Sequence, residues 1–251
     1  MPGPFYCWYK KVEPGSIRLA HELVHEIIEE EGPFDGVIAF SQGAALALSM
    51  IIDQELNNPG DRPLFGFAAF FSCPIALSPD TKLNRESLAR AAKKTDEGEK
   101  PKAPTKGAPK HRFSLLLSDN QRALAHEYCD ILADAKQTAR AFGVEGLSDD
   151  EASDTDSGSS ESDDELSHIP RLLHPLMVKA RVSIPTVHLY DPKDPYHKQC
   201  ELVVRLCDKF LTREVLHGGG HDLPADPNEL KACAAAIVKA MEKGRQRMNM
   251  F

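Results

Sequence analysis

The sequence predicts an α/β fold, a parallel sheet whose strands are joined by crossover helices. Apolar runs of strand length alternate along the chain with stretches of helical spacing. The run Val37-Ile38-Ala39-Phe40 stops at Ser41 and passes at once into a small-residue stretch of helical character. A serine, an aspartate and a histidine then fall just past the ends of separate predicted strands. Strands buried on both faces of a parallel sheet read as continuous apolar runs, and Val37–Phe40, Phe65–Phe71 and Ile184–Tyr190 read that way.

Taken in order, Met1–Lys10 is proline-rich and aromatic and predicts an extended surface loop. From Ser16, residues Ile17, Ala20, Leu23, Val24, Ile27 and Ile28 form a helical stripe with Glu22, Glu26, Glu29 and Glu30 facing away. Gly32-Pro33 stops that helix. The strand Val37–Phe40 follows, then a helix from about Ala44 to Leu56, ended by Asn57-Asn58-Pro59-Gly60, and a second strand over Phe65–Phe71. Beyond Ser78 the pattern breaks. Residues 79–168 read as an insertion: a short helix at Thr81–Lys94, a basic linker at Thr95–Arg112, a long helix within Phe113–Phe142 and an acidic disordered stretch at Ser148–Glu165. Order returns by Ile169. A third strand at Ile184–Tyr190 leads into the loop Asp191–Pro195, and the next helix presents Leu202, Val203, Leu206 and Phe210 on one face. A short strand at Arg213–Leu216 runs into His217-Gly218-Gly219-Gly220-His221, and a helix over Asn228–Lys243 closes the core. The division is therefore core at 1–78, insertion at 79–168 and core again at 169–251.

Composition excludes several classes. The net charge is −8, yet Ser148–Glu165 alone holds nine acidic and no basic side chains, so the rest of the chain is near neutrality. Such a surface gives no electrostatic reason for a nucleic-acid or anionic-membrane partner. The six cysteines lack the paired spacing of zinc or redox sites, which points to a reducing compartment and no disulfide framework. No secretory signal and no apolar run long enough to span a bilayer is visible. A cytoplasmic protein is expected, with the nucleus as the alternative that Lys93-Lys94 would suit.

The chemistry follows from the punctuation. A serine at a sharp strand-to-helix turn is a nucleophile elbow, which needs small residues two positions before and after it; here these are Ala39 and Gly43. A serine hydroxyl is a weak nucleophile, so it needs a base within hydrogen-bond reach and an acid to orient that base. Ser41, Asp194 and His221 occur in the chain order of α/β-hydrolases. Each partner has a rival. Asp191 shares the loop of Asp194, which is preferred because it lies farther past the strand end. His217 follows its strand directly and reads as packed against it. His188 lies inside a strand and reads as a core histidine bonded to backbone. A metal site from His217, His221 and Asp222 lacks further spaced ligands, and neither metal nor cofactor is expected.

These residues resemble the fungal FSH-type serine hydrolases, an α/β-hydrolase family. The resemblance lies in Gly32-Pro33-Phe34-Asp35-Gly36 through Ser41-Gln42-Gly43-Ala44-Ala45, in Ile184 through Asp194 and in Gly219-Gly220-His221 through Pro224, together with Gly3-Pro4 to Trp8-Tyr9. It implies Ser41 as nucleophile, Asp194 as the orienting acid, His221 as the base and the Gln42 backbone N–H as an oxyanion donor. It also implies cleavage of a small-molecule ester or thioester, since members act on acyl groups and some release products from polyketide synthases in secondary metabolism. Family members carry an N-terminal strand and a His-Gly turn, the source of a second oxyanion donor, ahead of the Gly-Pro aromatic segment. The sequence here starts at that segment, so a shortened α/β-hydrolase-like sheet with an open edge and a weakened oxyanion hole is expected. Asp191 stands where the family often has glycine. A catalytically impaired relative acting in binding or regulation is the alternative.

Overall fold

The computed structural model describes residues 7–83, 171–175 and 177–249. Those up to Thr81 and from Arg171 onward belong to one compact unit. The elements are α1 (Pro14–Glu31), β1 (Val37–Phe40), α2 (Gln42–Asn57), β2 (Ala68–Phe71), β3 (Leu77–Ser78), β4 (Arg171–Leu172), β5 (Thr186–Tyr190), α3 (His197–Val204), β6 (Thr212–Leu216) and α4 (Pro227–Met248). The main sheet has the order β1-β2-β5-β6, and every pairing in it is parallel. All strands therefore point their carboxyl ends to one rim, where α/β folds place their ligands.

Helix α1 opens on Pro14, whose ring presets the helical dihedral where no amide donor is needed. It ends at Gly32, whose N–H bonds the Ile28 carbonyl at 3.0 Å; a Cβ at Gly32 would collide with that carbonyl. The expected apolar stripe is only partly covered. Ile17 and Ala20 are buried and Val24 and Ile28 pack against Leu46 and Met50, whereas Leu23 and Ile27 stay exposed. The buried polar member of that face is His21, whose Nε2 lies 3.0 Å from Ser49 Oγ. Because the Ser49 hydroxyl donates to the Leu77 carbonyl at 2.6 Å, it accepts from the imidazole, which fixes His21 as the Nε2–H tautomer.

Helix α4 covers one face of the sheet: Cys233, Ala236 and Ala240 meet Ala69, Phe71, Val187 and Leu189. Burial of each large apolar side chain there contributes roughly 1.5–3 kcal/mol. Small residues allow the helix to lie close. A Cβ on Gly244 would strike the Gly66 carbonyl, and one on Gly66 would come within 2.7 Å of the Asp35 carbonyl oxygen. Helix α2 is buried continuously from Ala44 to Ile52, which the small-residue stretch after Ser41 anticipates.

Three local expectations need correction. The face Leu202, Val203, Leu206, Phe210 does not belong to one helix, because α3 stops at Val204. Val182 donates its N–H to Leu206 O at 2.9 Å and accepts from Asp208 N at 3.0 Å, so the chain leaves the helix to pair in an extended bridge with Val182. Leu206 is buried by that bridge and Phe210 is left 78% exposed. The second strand starts at Ala68, with Phe65–Phe67 an irregular lead-in beneath α4. The small antiparallel sheet of β3 and β4 was not anticipated; it pairs Ser78 with Arg171, and the Arg171 guanidinium donates to the Thr81 carbonyl at 3.0 and 3.2 Å. Of the Thr81–Lys94 helix only Thr81–Leu83, in a turn, is described. The linker at Thr95–Arg112, the helix at Phe113–Phe142 and the acidic stretch at Ser148–Glu165 lie outside the described residues. Among the described residues β1 is the outermost strand beside β2, and Ile38 is 60% exposed on it.

Candidate active site

Ser41 sits between β1 and α2 with φ 51° and ψ −123°. A non-glycine residue at positive φ is strained by about 1–3 kcal/mol and persists only where its surroundings hold it. Its N–H bonds the Phe71 carbonyl at 2.9 Å, and its own carbonyl accepts from Ala44 N at 3.0 Å and Ala45 N at 3.1 Å. The turn is held from both sides. The amides of Gln42 and Gly43 precede these helix-closing bonds, so the positive end of the helix faces the serine. Gly43 is small for an unexpected reason: the group a Cβ there would approach, at 3.0 Å, is the Trp8 indole nitrogen rather than a strand. The Gln42 side chain fastens the same aromatic segment, accepting from Trp8 N at 2.8 Å and donating to the Tyr9 carbonyl at 3.0 Å.

The three remote side chains meet at the carboxyl rim. Ser41 Oγ lies 3.0 Å from His221 Nε2, and His221 Nδ1 lies 3.0 Å and 3.1 Å from the two oxygens of Asp194. Asp194 has no exposed side-chain surface, while 16% of the His221 side chain remains open to solvent. Burial alone would push the Asp194 carboxyl up. Hydrogen bonding from His221 and the Tyr196 N–H, with the Ser72 hydroxyl nearby, outweighs burial and holds it below the usual carboxylate range. An ionised Asp194 accepts from Nδ1–H, leaving Nε2 as the acceptor facing the serine hydroxyl.

The rivals fall elsewhere. Asp191 accepts from Lys193 N at 2.8 Å and Gly220 N at 2.6 Å, so both its oxygens are bound to backbone. His217 is buried, with Nδ1 accepting from Gly219 N at 3.1 Å. His188 is a core histidine, but its partner is the Thr186 hydroxyl at 3.3 Å rather than backbone, and it packs on Phe70. Its burial pushes its pKa down to about 3.

Sequence reasoning missed three contributors. The His221 ring sits between Phe40, at 5.2 Å between centroids, and Tyr196, at 5.0 Å. Tyr196 carried a signal, since Asp194-Pro195-Tyr196 suits a turn in which the aspartate side chain accepts from the amide two residues on, and that bond is 2.8 Å long. Ser72, at φ 46°, ends β2 as Ser41 ends β1, and no spacing announced it. An apolar cavity of about 480 Å³ lies along β1, lined among others by Trp8, Phe40, Gly43 and Ala47.

A parallel sheet with crossover helices and a serine elbow at its carboxyl rim defines an architecture of the α/β-hydrolase kind. The chain belongs to the serine hydrolase (FSH1) family, whose model matches residues 2–233. It is 31% identical to the esterase alnB of Emericella nidulans over 98% of this chain and 80% of that protein. It is 24% identical to the serine hydrolase cnsH of Penicillium expansum over 94% of this chain and 89% of the relative. The hydrolase FUB4 of Fusarium oxysporum f. sp. lycopersici is 25% identical over 96% of this chain and 79% of its own length.

Proposed function

We propose that this serine hydrolase cleaves a carboxylic ester or thioester through an acyl-enzyme on Ser41. The observation that carries the reading is the continuous contact from the Ser41 hydroxyl through the His221 imidazole to the Asp194 carboxylate. As Ser41 Oγ attacks the acyl carbon, its proton passes to His221 Nε2, and Asp194 stabilises the imidazolium through Nδ1–H. The oxyanion is held by the Gln42 N–H and the positive end of α2. The bond to the leaving oxygen or sulfur breaks as His221 returns the proton to it. Water then repeats the cycle on the acyl-serine, with His221 as its base.

The relative named an esterase favours an ester, and the resemblance to hydrolases that serve polyketide synthases makes a thioester the second substrate to try. The apolar cavity along β1, which reaches Phe40 and Gly43 on either side of the elbow, would suit an uncharged acyl or leaving group. A fluorophosphonate probe tests the reading, because a nucleophilic serine displaces its fluoride and keeps the phosphonyl group. Wild-type protein is expected to label and folded Ser41→Ala to remain unlabelled. A folded wild-type protein that does not label would overturn the enzyme reading in favour of a binding or regulatory hydrolase-like protein.

A further inference from the structure

We propose that Asp191 is a positioning residue that presents His221 to Ser41, an inference that rests on the reading of His221 as the base. Asp191 directly follows β5 and is 3% exposed. Its carboxylate bridges two stretches of chain: one oxygen accepts from Lys193 N at 2.8 Å within its own loop, and the other accepts from Gly220 N at 2.6 Å. Gly220 immediately precedes His221 and has φ +65°, a conformation that other side chains rarely adopt. The anchor is therefore attached to the chain one residue before the imidazole.

The neighbouring amides are secured as well. Gly218 N donates to Glu229 Oε1 at 3.0 Å and Gly219 N to His217 Nδ1 at 3.1 Å. Three consecutive glycine amides are thus each held by a different side chain, so the glycine run is a fixed curve rather than a hinge. Within that curve Asp191 differs from Glu229 and His217 in being a buried carboxylate on the loop that also supplies Asp194. The acid and the base-bearing loop are tied twice, by Asp194 to the imidazole and by Asp191 to the peptide before it. A charge-assisted bond to a backbone N–H is stronger than a neutral one, and a shift of about 1 Å in a reacting group costs about 10²-fold in rate.

The test compares Asp191→Ala and Asp191→Asn with wild type by the rate of fluorophosphonate labelling, normalised to the folded fraction. It adds the downfield proton NMR signal of the His221 Nδ1–H bond. Alanine removes the acceptor and is expected to slow labelling by about 10- to 100-fold and to broaden or shift that signal. Asparagine keeps one acceptor oxygen and is expected to fall between alanine and wild type. If alanine does not fold, the asparagine rate and NMR signal carry the test. Normal labelling and an unmoved Nδ1–H signal in the folded variants would overturn the proposal while leaving the hydrolase reading intact. A wild-type protein that does not label would overturn both.

Discussion

Asp191 and Asp194 are the same residue type in the same loop, and reach alone separates them. Asp194 touches the imidazole with both oxygens, while Asp191 has both of its oxygens committed to amides. The Asp194→Asn variant places an amide where the ionised acceptor was, which favours the wrong imidazole tautomer. Turnover of an ester substrate is expected to fall by about 10⁴-fold with little change in KM, as read by steady-state kinetics on the folded variant. Distance past the strand end favours Asp194, and in the fold its carboxylate oxygens lie 3.0 and 3.1 Å from His221 Nδ1. The partner of Asp191 was not readable, because Gly220 is remote in sequence and the glycine run gave no sign of what binds its amides.

Among the elements, β1 with α2 was the most legible, since an apolar run ending at Ser41 and small residues after it leave few other arrangements. Helix α3 was misread because spacing sees Leu206 and Phe210 on a helical face but not Val182, which draws the chain away. The contact between α4 and the lead-in to β2 is similarly invisible in sequence and open to direct test. Gly244→Ala would press a methyl group onto the Gly66 carbonyl, which backbone cannot yield cheaply, and is expected to cost roughly 1–3 kcal/mol. Gly15→Ala in the first turn of α1 meets nothing within 4 Å and is expected to stabilise by roughly 0.4–1 kcal/mol. Urea midpoints of the two variants should therefore move in opposite directions.

For the whole molecule, stability should depend on pH through the buried histidines His21 and His188. Burial pushes His21 down to about 4 and His188 down to about 3, so both are neutral in the fold. In the unfolded chain histidine titrates near about 6.5. Below that pH the unfolded chain binds protons that the folded chain refuses, so stability declines on acidification from about 6.5 toward the folded values. Asp191 is lowered by the Lys193 and Gly220 amides, and Asp194 by hydrogen bonding that outweighs burial. Their stabilisation is complete above about pH 4 and is lost only as pH falls through the folded values. Urea midpoints measured from pH 7 to pH 4.5 are expected to fall already in the histidine range. A flat profile down to pH 5 would show that these histidines do not govern acid stability.

The local pattern of the sequence determined the α/β class, the strand order along the chain and the elbow, because these follow from the spacing of apolar residues and from turn chemistry. It also narrowed the chemical candidates to one serine and a few aspartates and histidines. Only the tertiary structure decided which carboxylate meets which nitrogen, that Phe40 and Tyr196 enclose the imidazole, and that Ser78 pairs with Arg171. Those contacts join residues brought near by the folding of distant segments, and the pattern within a single segment carries no record of its partner.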